Sequence, residues 1–263
     1  MKLHIQQLID YQKCPTLYKF RWVDGIDTKY TEQRQMPNKW HMHEDFDRAL
    51  HQVAYGFFHE VADGRIPNEY YMKKRWGYAW SKGRSKEDIL FDTGSWRNEH
   101  RKLERRGLNA LLRLHSHFKN NPGTPILIGK EYLIQIGKHT LSGVIDLVRE
   151  VNDEEGKPII EIVDFKSDDR PTILHVKGDM GVTAASLAFR KLFNYKENRI
   201  TYHGIISGKE QYTVRDDKDS QLLEGAVNNI VKGIENNIFY PVLNDRCFEC
   251  PFQKHCEKKE WFS

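Results

Sequence analysis

Asp146 falls inside the apolar run LSGVIDLVRE and Asp164 inside IIEIVDFKS, each where a buried strand would carry another apolar residue. Between the runs, Asn152, Asp153, Gly156 and Pro158 have turn chemistry, so the pair reads as an antiparallel hairpin with a longer loop. Hairpin pairing can bring the two carboxylates together although 18 positions separate them. Lys166 shares the face of Asp164 because strand side chains alternate with period two. Two like-charged carboxylates on one face are unfavourable unless a cation lies between them, and hard oxygen ligands suit Mg²⁺ or Mn²⁺. The corresponding chemistry is metal-assisted hydrolysis, with the ammonium offsetting developing negative charge. A strand-end ion pair between Asp164 and Lys166 is the plainer alternative.

The thiols form a second constellation. Cys247 and Cys250 make a C-x-x-C, Cys256 follows after five more residues, and Cys14 stands alone near the start. Four thiols are what a zinc ion or an iron-sulfur cluster needs, and this distribution suggests a cluster tying the two ends of the chain together. Taken alone, Cys14 beside Pro15 reads as a small buried hydrophobe. The opening MKLHIQQLIDYQ is too polar for a secretory signal, so a cytoplasmic setting in a bacterial or phage-infected cell is expected, where thiols serve as ligands rather than disulfides. No run of eighteen apolar residues exists, so no membrane contact is expected.

The elements that must position these groups follow from periodicity. Residues 38–58 read as a helix with Met42, Phe46, Ala49, Leu50, Val53 and Phe57 as its apolar stripe. His43 lies at the edge of that stripe, with His41, His51 and His59 as rivals for any role. From Met72 to Lys86, Trp76, Tyr78 and Trp80 interleave with Lys73, Lys74, Arg75, Lys82, Arg84 and Lys86. Either the cations meet phosphates while the aromatics stack on unpaired bases, or the aromatics anchor the segment in the core. Between Met72 and Arg106, eleven Lys or Arg face five Asp or Glu, a local basic surface in a chain of formal charge +4. A helix over 96–119 ends at Asn121-Pro122-Gly123, and a strand over 126–136 precedes the central hairpin. A small-residue helix over 180–193, a second hairpin around Gly208 and a helix over 220–235 complete one domain spanning 1–263.

Taken jointly, these pieces resemble the iron-sulfur branch of the PD-(D/E)XK nuclease superfamily: RecB-like and AddB-like nuclease domains, CRISPR-associated iron-sulfur exonucleases and exonuclease V. YQKCPTLYKF is similar to the segment carrying the first cluster cysteine, WHMHEDFDRAL to the helix bearing the motif histidine, LSGVIDLV to G-x-x-D, IVDFKS to D-x-K and CFECPFQKHC to the closing cysteine triplet. The resemblance implies an α/β, restriction-endonuclease-like mixed central sheet flanked by helices, with a basic helical insertion over about 60–120. It implies that His43, Asp146, Asp164 and the main-chain carbonyl of Phe165 bind the catalytic metal and that Lys166 positions or activates water. It further implies a 4Fe-4S cluster on Cys14, Cys247, Cys250 and Cys256, with zinc as the alternative. The expected activity is a Mg²⁺- or Mn²⁺-dependent DNA exonuclease acting on single strands or ends, alongside a helicase, recombination or CRISPR adaptation partner. A non-catalytic DNA-binding iron-sulfur subunit or scaffold is the rival. One motif departs: where the family often carries Q-x-x-x-Y, the small-residue helix offers Thr183 and Leu187, leaving Arg190, Lys191 and Tyr195 as candidate DNA contacts.

Overall fold

The computed structural model describes residues 1–26, 39–82, 94–167, 172–244, 247–248 and 250–256. Six strands build one mixed sheet: β1 (Lys2–His4), β2 (Thr124–Ile136), β3 (His139–Asn152), β4 (Pro158–Lys166), β5 (Arg199–Gly204) and β6 (Glu210–Thr213). β2 lies antiparallel along the whole of β3, so β1 and β4 must share the other edge of β3. β1 pairs with it in parallel at Thr140–Ser142 and β4 antiparallel at Leu147–Asn152. Gly143 to Asp146 fall between those two ladders. There β4 leaves β3 and continues in parallel beside β5, with Asp164 opposite Tyr202 and Lys166 opposite Gly204. The sheet therefore forks at Asp146, as the expected mixed sheet requires.

Helices cover both faces, as the alternating burial of the strands demands. On one face, α1 (Ile5–Lys13), α7 (Met180–Phe193) and α8 (Asp217–Glu235) bury Leu8, Ala184, Ala188, Val227 and Val231 against Ile134, Ile145, Ile162 and Ile200. The alanines of α7 let that helix approach the sheet closely. On the other face, α3 (Lys39–Ala62), α4 (Glu69–Lys82) and α5 (Gly94–Phe118) bury Leu50, Phe57, Phe58, Leu111 and Phe118 against Leu147, Val163 and Phe165. Two short helices, α2 (Pro15–Tyr18) and α6 (Ile173–Gly178), complete the set used below. Among the described residues, no helix is long and apolar enough to cross a membrane.

Two features lie outside the periodicity reading. β1 is only three residues long, too short for an alternation to register. The basic-aromatic stretch after Met72 is the helix α4 as far as Lys82, because Met72, Trp76 and Trp80 at four-residue spacing form its buried stripe. Gly107 of α5 permits this packing: a Cβ there would lie 2.3 Å from the Trp76 ring.

Candidate active site

At the fork, Asp146 is held from two sides. Its Oδ2 accepts the Phe165 N–H at 2.8 Å, and its Oδ1 accepts the Tyr55 hydroxyl. Tyr55 reaches the carboxylate across Gly129, which sits in β2 between the pairs Ile128–Leu147 and Lys130–Ile145 and so falls opposite Asp146. Gly129 has φ +54°, and a Cβ would approach the Tyr55 ring to 2.8 Å, so both the backbone and the space call for glycine. Burial, together with the neighbouring Asp146 charge, holds the Tyr55 phenol well above its ordinary pKa, so it stays a hydrogen-bond donor.

Asp164 and Lys166 share one face of β4, with their charged groups 3.0 Å apart. Asp164 Oδ1 accepts the ammonium at 3.2 Å, and its buried Oδ2 lies 3.0 Å from the same ammonium as an ion pair without a hydrogen bond of its own. Burial pushes the Asp164 carboxyl up to about 7; Lys166 pulls it down, while Asp146 and Asp179 push it further up. Burial alone would lower Lys166, but Asp164, Asp179 and Asp146 outweigh it and hold the ammonium protonated. Asp179 caps α7, accepting the N–H groups of Gly181 and Val182, and adds a third carboxylate near the site.

The opposite face contributes through the same strand. His51 Nε2 lies 2.9 Å from the Phe165 carbonyl oxygen and 3.8 Å from Asp146 Oδ2, while Nδ1 faces the Asp47 carbonyl at 2.9 Å. Burial opposes the imidazolium, but Asp146, Asp47 and the two carbonyls prevail and raise the His51 pKa. His43, Asp47, His51 and Tyr55 form one ridge at four-residue spacing along α3. His43 lies two turns before His51, about 12 Å along the axis. The histidine brought to Asp146 and Phe165 is therefore His51 rather than the expected His43. Buried Oδ2 of Asp164, Oδ2 of Asp146, the Phe165 carbonyl and an imidazole make a donor set that fits a hard divalent cation.

The expected DNA contacts divide. Trp76 and Trp80 are 2% and 6% exposed and stack on each other at 5.4 Å, with the Trp76 indole N–H donating to the Glu104 carbonyl. They are core residues, so base stacking by these two is ruled out. Arg190 is bound to Glu197 through two nitrogens and to the Arg215 carbonyl, which removes it from the candidate contacts. Lys191 donates to the Gln135 carbonyl, while Tyr195 is exposed. Thr183 accepts the Arg215 Nε at 2.8 Å and Leu187 packs on the core, so neither is placed to hold a strand. Lys73, Lys74 and Arg75 are exposed on α4. The Lys82 side chain, Arg84 and Lys86 lie outside the described residues.

The four cysteines lie in the same neighbourhood. Burial raises the Cys250 thiol, and the nearby Cys14, Cys247 and Cys256 raise it further. All four are free and half-buried. Their segments are joined independently of any metal. Cys14 Sγ accepts the Val242 N–H, Thr16 N–H donates to the Tyr240 carbonyl, Tyr18 stacks on Phe239 and Phe20 meets Phe252. Four converging thiols suit a metal centre.

The sequence signal for Asp146, Asp164 and Lys166 was direct, His51 was named only as a rival of His43, and Tyr55, Gly129 and Asp179 were missed as site residues. The four-residue ridge on α3 was the signal for His51 and Tyr55. Gly129 and Asp179 carry no sequence pattern of their own.

Comparison with curated protein sequences finds no match. Among solved structures, the crystal structure of SSO0001 aligns over 98% of this chain and 86% of its own, at 16% identity and a TM-score of 0.40. Residues 3–257 match the PD-(D/E)XK nuclease superfamily, whose members are nucleases that typically use Mg²⁺ or Mn²⁺. With that match running through both ladders of the fork, the chain belongs to the PD-(D/E)XK nuclease superfamily.

Proposed function

We propose that this chain is a Mg²⁺- or Mn²⁺-dependent DNA exonuclease of the iron-sulfur branch, acting on single strands or ends. The observation that carries the reading is the gathering at the fork of the like-charged Asp146 and Asp164 with Lys166, His51 and the Phe165 carbonyl. Two like-charged carboxylates brought together in a folded interior call for a cation between them or a proton on one of them. Asp146, Asp164, His51 and the Phe165 carbonyl would hold a divalent cation, which would supply charge neutralisation of the scissile phosphate and a more acidic attacking water.

The protein's own contributions follow from the geometry. Tyr55 and the Phe165 N–H fix both oxygens of Asp146, so the carboxylate is preorganised. His51 would bind a cation through an unprotonated Nε2, while Nδ1–H donates to the Asp47 carbonyl and fixes the ring. Lys166, whose ammonium is favoured by the neighbouring carboxylates, offsets the negative charge that develops on the phosphate. Lys73, Lys74 and Arg75 supply exposed positive charge for the DNA backbone. Cys14, Cys247, Cys250 and Cys256 would hold a 4Fe-4S cluster that joins the two terminal segments and undergoes no redox step.

The test is degradation of end-labelled single-stranded DNA with Mn²⁺, Mg²⁺ and EDTA, alongside iron and zinc analysis of anaerobically purified protein. Metal-dependent release of short products from an end is expected. Tight DNA binding with no cleavage in either metal would overturn the enzyme reading in favour of a scaffold. Zinc in place of iron would move the chain out of the iron-sulfur branch.

A further inference from the structure

A second cluster of metal-type ligands lies behind the fork. His203 of β5 stands in register with Phe165 of β4 on one side and Glu210 of β6 on the other. Its Nδ1 is 3.0 Å from Glu210 Oε1, and the same oxygen lies 3.0 Å from Nε2 of His117, near the end of α5. All three ligand atoms fall within 4.8 Å of one another. Two separations of 3.0 Å, with the third inside 4.8 Å, put the three donors close enough to share one cation.

Three further observations favour an ion over a bare hydrogen-bonded network. Glu210 is oriented by the Tyr212 hydroxyl, which donates to Oε2 at 2.8 Å, the support that a ligating carboxylate ordinarily has. His203 is fully buried, and its Nε2 has no partner. Its ring lies 5.0 Å from that of Phe118 and 5.9 Å from that of Phe165. If Nδ1 carried the proton, a lone pair on Nε2 would be buried among these rings. A cation on Nδ1 puts the proton on Nε2 instead, and an N–H is the form an aromatic face can accept. Finally, the His117 side chain is 40% exposed, which gives an ion a route in and leaves a coordination position for water.

We propose that His117, His203 and Glu210 bind a second divalent cation of the borderline-soft Zn²⁺ class. Two imidazoles and one carboxylate suit Zn²⁺ or Co²⁺, whereas the carboxylate-rich fork suits Mg²⁺ or Mn²⁺. The ion would join α5, β5 and β6. It would also brace the Phe165 ring from behind, while the Phe165 amide and carbonyl serve Asp146 and His51.

The experiment is zinc uptake by the full chain dialysed against micromolar Zn²⁺, with iron measured in the same samples, followed by a melting curve. His117→Ala, at a partly exposed position, should retain the fold while losing one zinc per chain relative to the unsubstituted protein. It should also lose the rise in melting temperature that Zn²⁺ produces. Glu210→Gln should behave likewise, whereas Asp146→Asn should keep this zinc. Equal zinc in His117→Ala and the unsubstituted protein, or an unsubstituted protein whose melting temperature ignores Zn²⁺, overturns the site. The counts do not depend on whether the fork cleaves DNA.

Discussion

Two charged cross-strand positions lie three residues apart on the same hairpin, and they are built on opposite principles. Arg149 of β3 faces Glu161 of β4 inside the ladder. Their charges are opposite, and every acceptor is used. Arg149 grips Oε2 at 2.6–2.7 Å, Arg199 grips Oε1 at 2.8 Å, and the Thr201 hydroxyl donates to Oε1 as well. Asp146 and Asp164 would be the next pair beyond Leu147–Val163 in that register, but the ladder stops there and the strands part. Here the charges are alike, and the buried Oδ2 of Asp164 has an ion pair with Lys166 but no hydrogen bond. The first pair is complete as folded. The second is completed from outside, and the fork keeps it from closing on itself.

The largest effect that separates the two is on cleavage. Asp164→Ala, Lys166→Ala and Asp146→Asn should each reduce DNA cleavage by about a thousandfold or more, with circular dichroism and DNA binding retained. Cleavage by Asp164→Ala at the unsubstituted rate would erase the distinction. Next comes stability. Glu161→Ala leaves Arg149 buried without its partner and should cost about 3–5 kcal/mol in urea unfolding. Asp146→Asn, whose amide oxygen still accepts one of two hydrogen bonds, should cost about 1 kcal/mol. Equal losses would mean that the fork is as structural as the ladder.

The comparison sharpens with pH. The Asp164 pKa, raised from 3.8 to about 7, means that the metal-free fold favours the protonated carboxyl. Its stabilising contribution is full below 3.8 and is lost as pH rises through about 7. A cation must displace that proton, so Mn²⁺ affinity should fall about tenfold per pH unit below that value. Calorimetric Mn²⁺ titrations from acid to alkaline pH check this, and a flat profile would contradict it. The smallest effect is expected from Tyr55→Phe, which removes one hydrogen bond to Asp146 and should slow cleavage about tenfold. An unchanged rate would show that the Phe165 N–H suffices to orient the carboxylate.

What the sequence made legible follows the range of the signals. Asp146, Asp164 and Lys166 could be found because alternation and turn chemistry act over a few residues. The ridge His43, Asp47, His51, Tyr55 was equally visible as a spacing, but where along it the sheet crosses depends on packing between α3 and β4, so His43 and His51 could not be told apart. Trp76 and Trp80 misled because basic neighbours suggested a nucleic-acid surface, although their four-residue spacing with Met72 already described a buried helix stripe. Arg190 looked available because its partner, Glu197, lies beyond the end of its helix. Gly129 and Asp179 matter only through what the fold places opposite them.

The separation in sequence between contacting parts also fixes an order of assembly. β2, β3 and β4 are joined by short turns, whereas β1 reaches β3 across 138 residues and Cys14 reaches Val242 across 228. Closing loops of that length costs entropy that the meander does not bear. In pulse-labelled refolding, amides of the meander should gain protection first and those of Lys2, Leu3 and Val242 last. Contacts formed after the rate-limiting step govern how fast a protein opens rather than how fast it forms. The clasp between Tyr18 and Phe239 and around the cysteines should therefore set the lifetime of the folded molecule, while the meander sets the speed at which the two aspartates first meet.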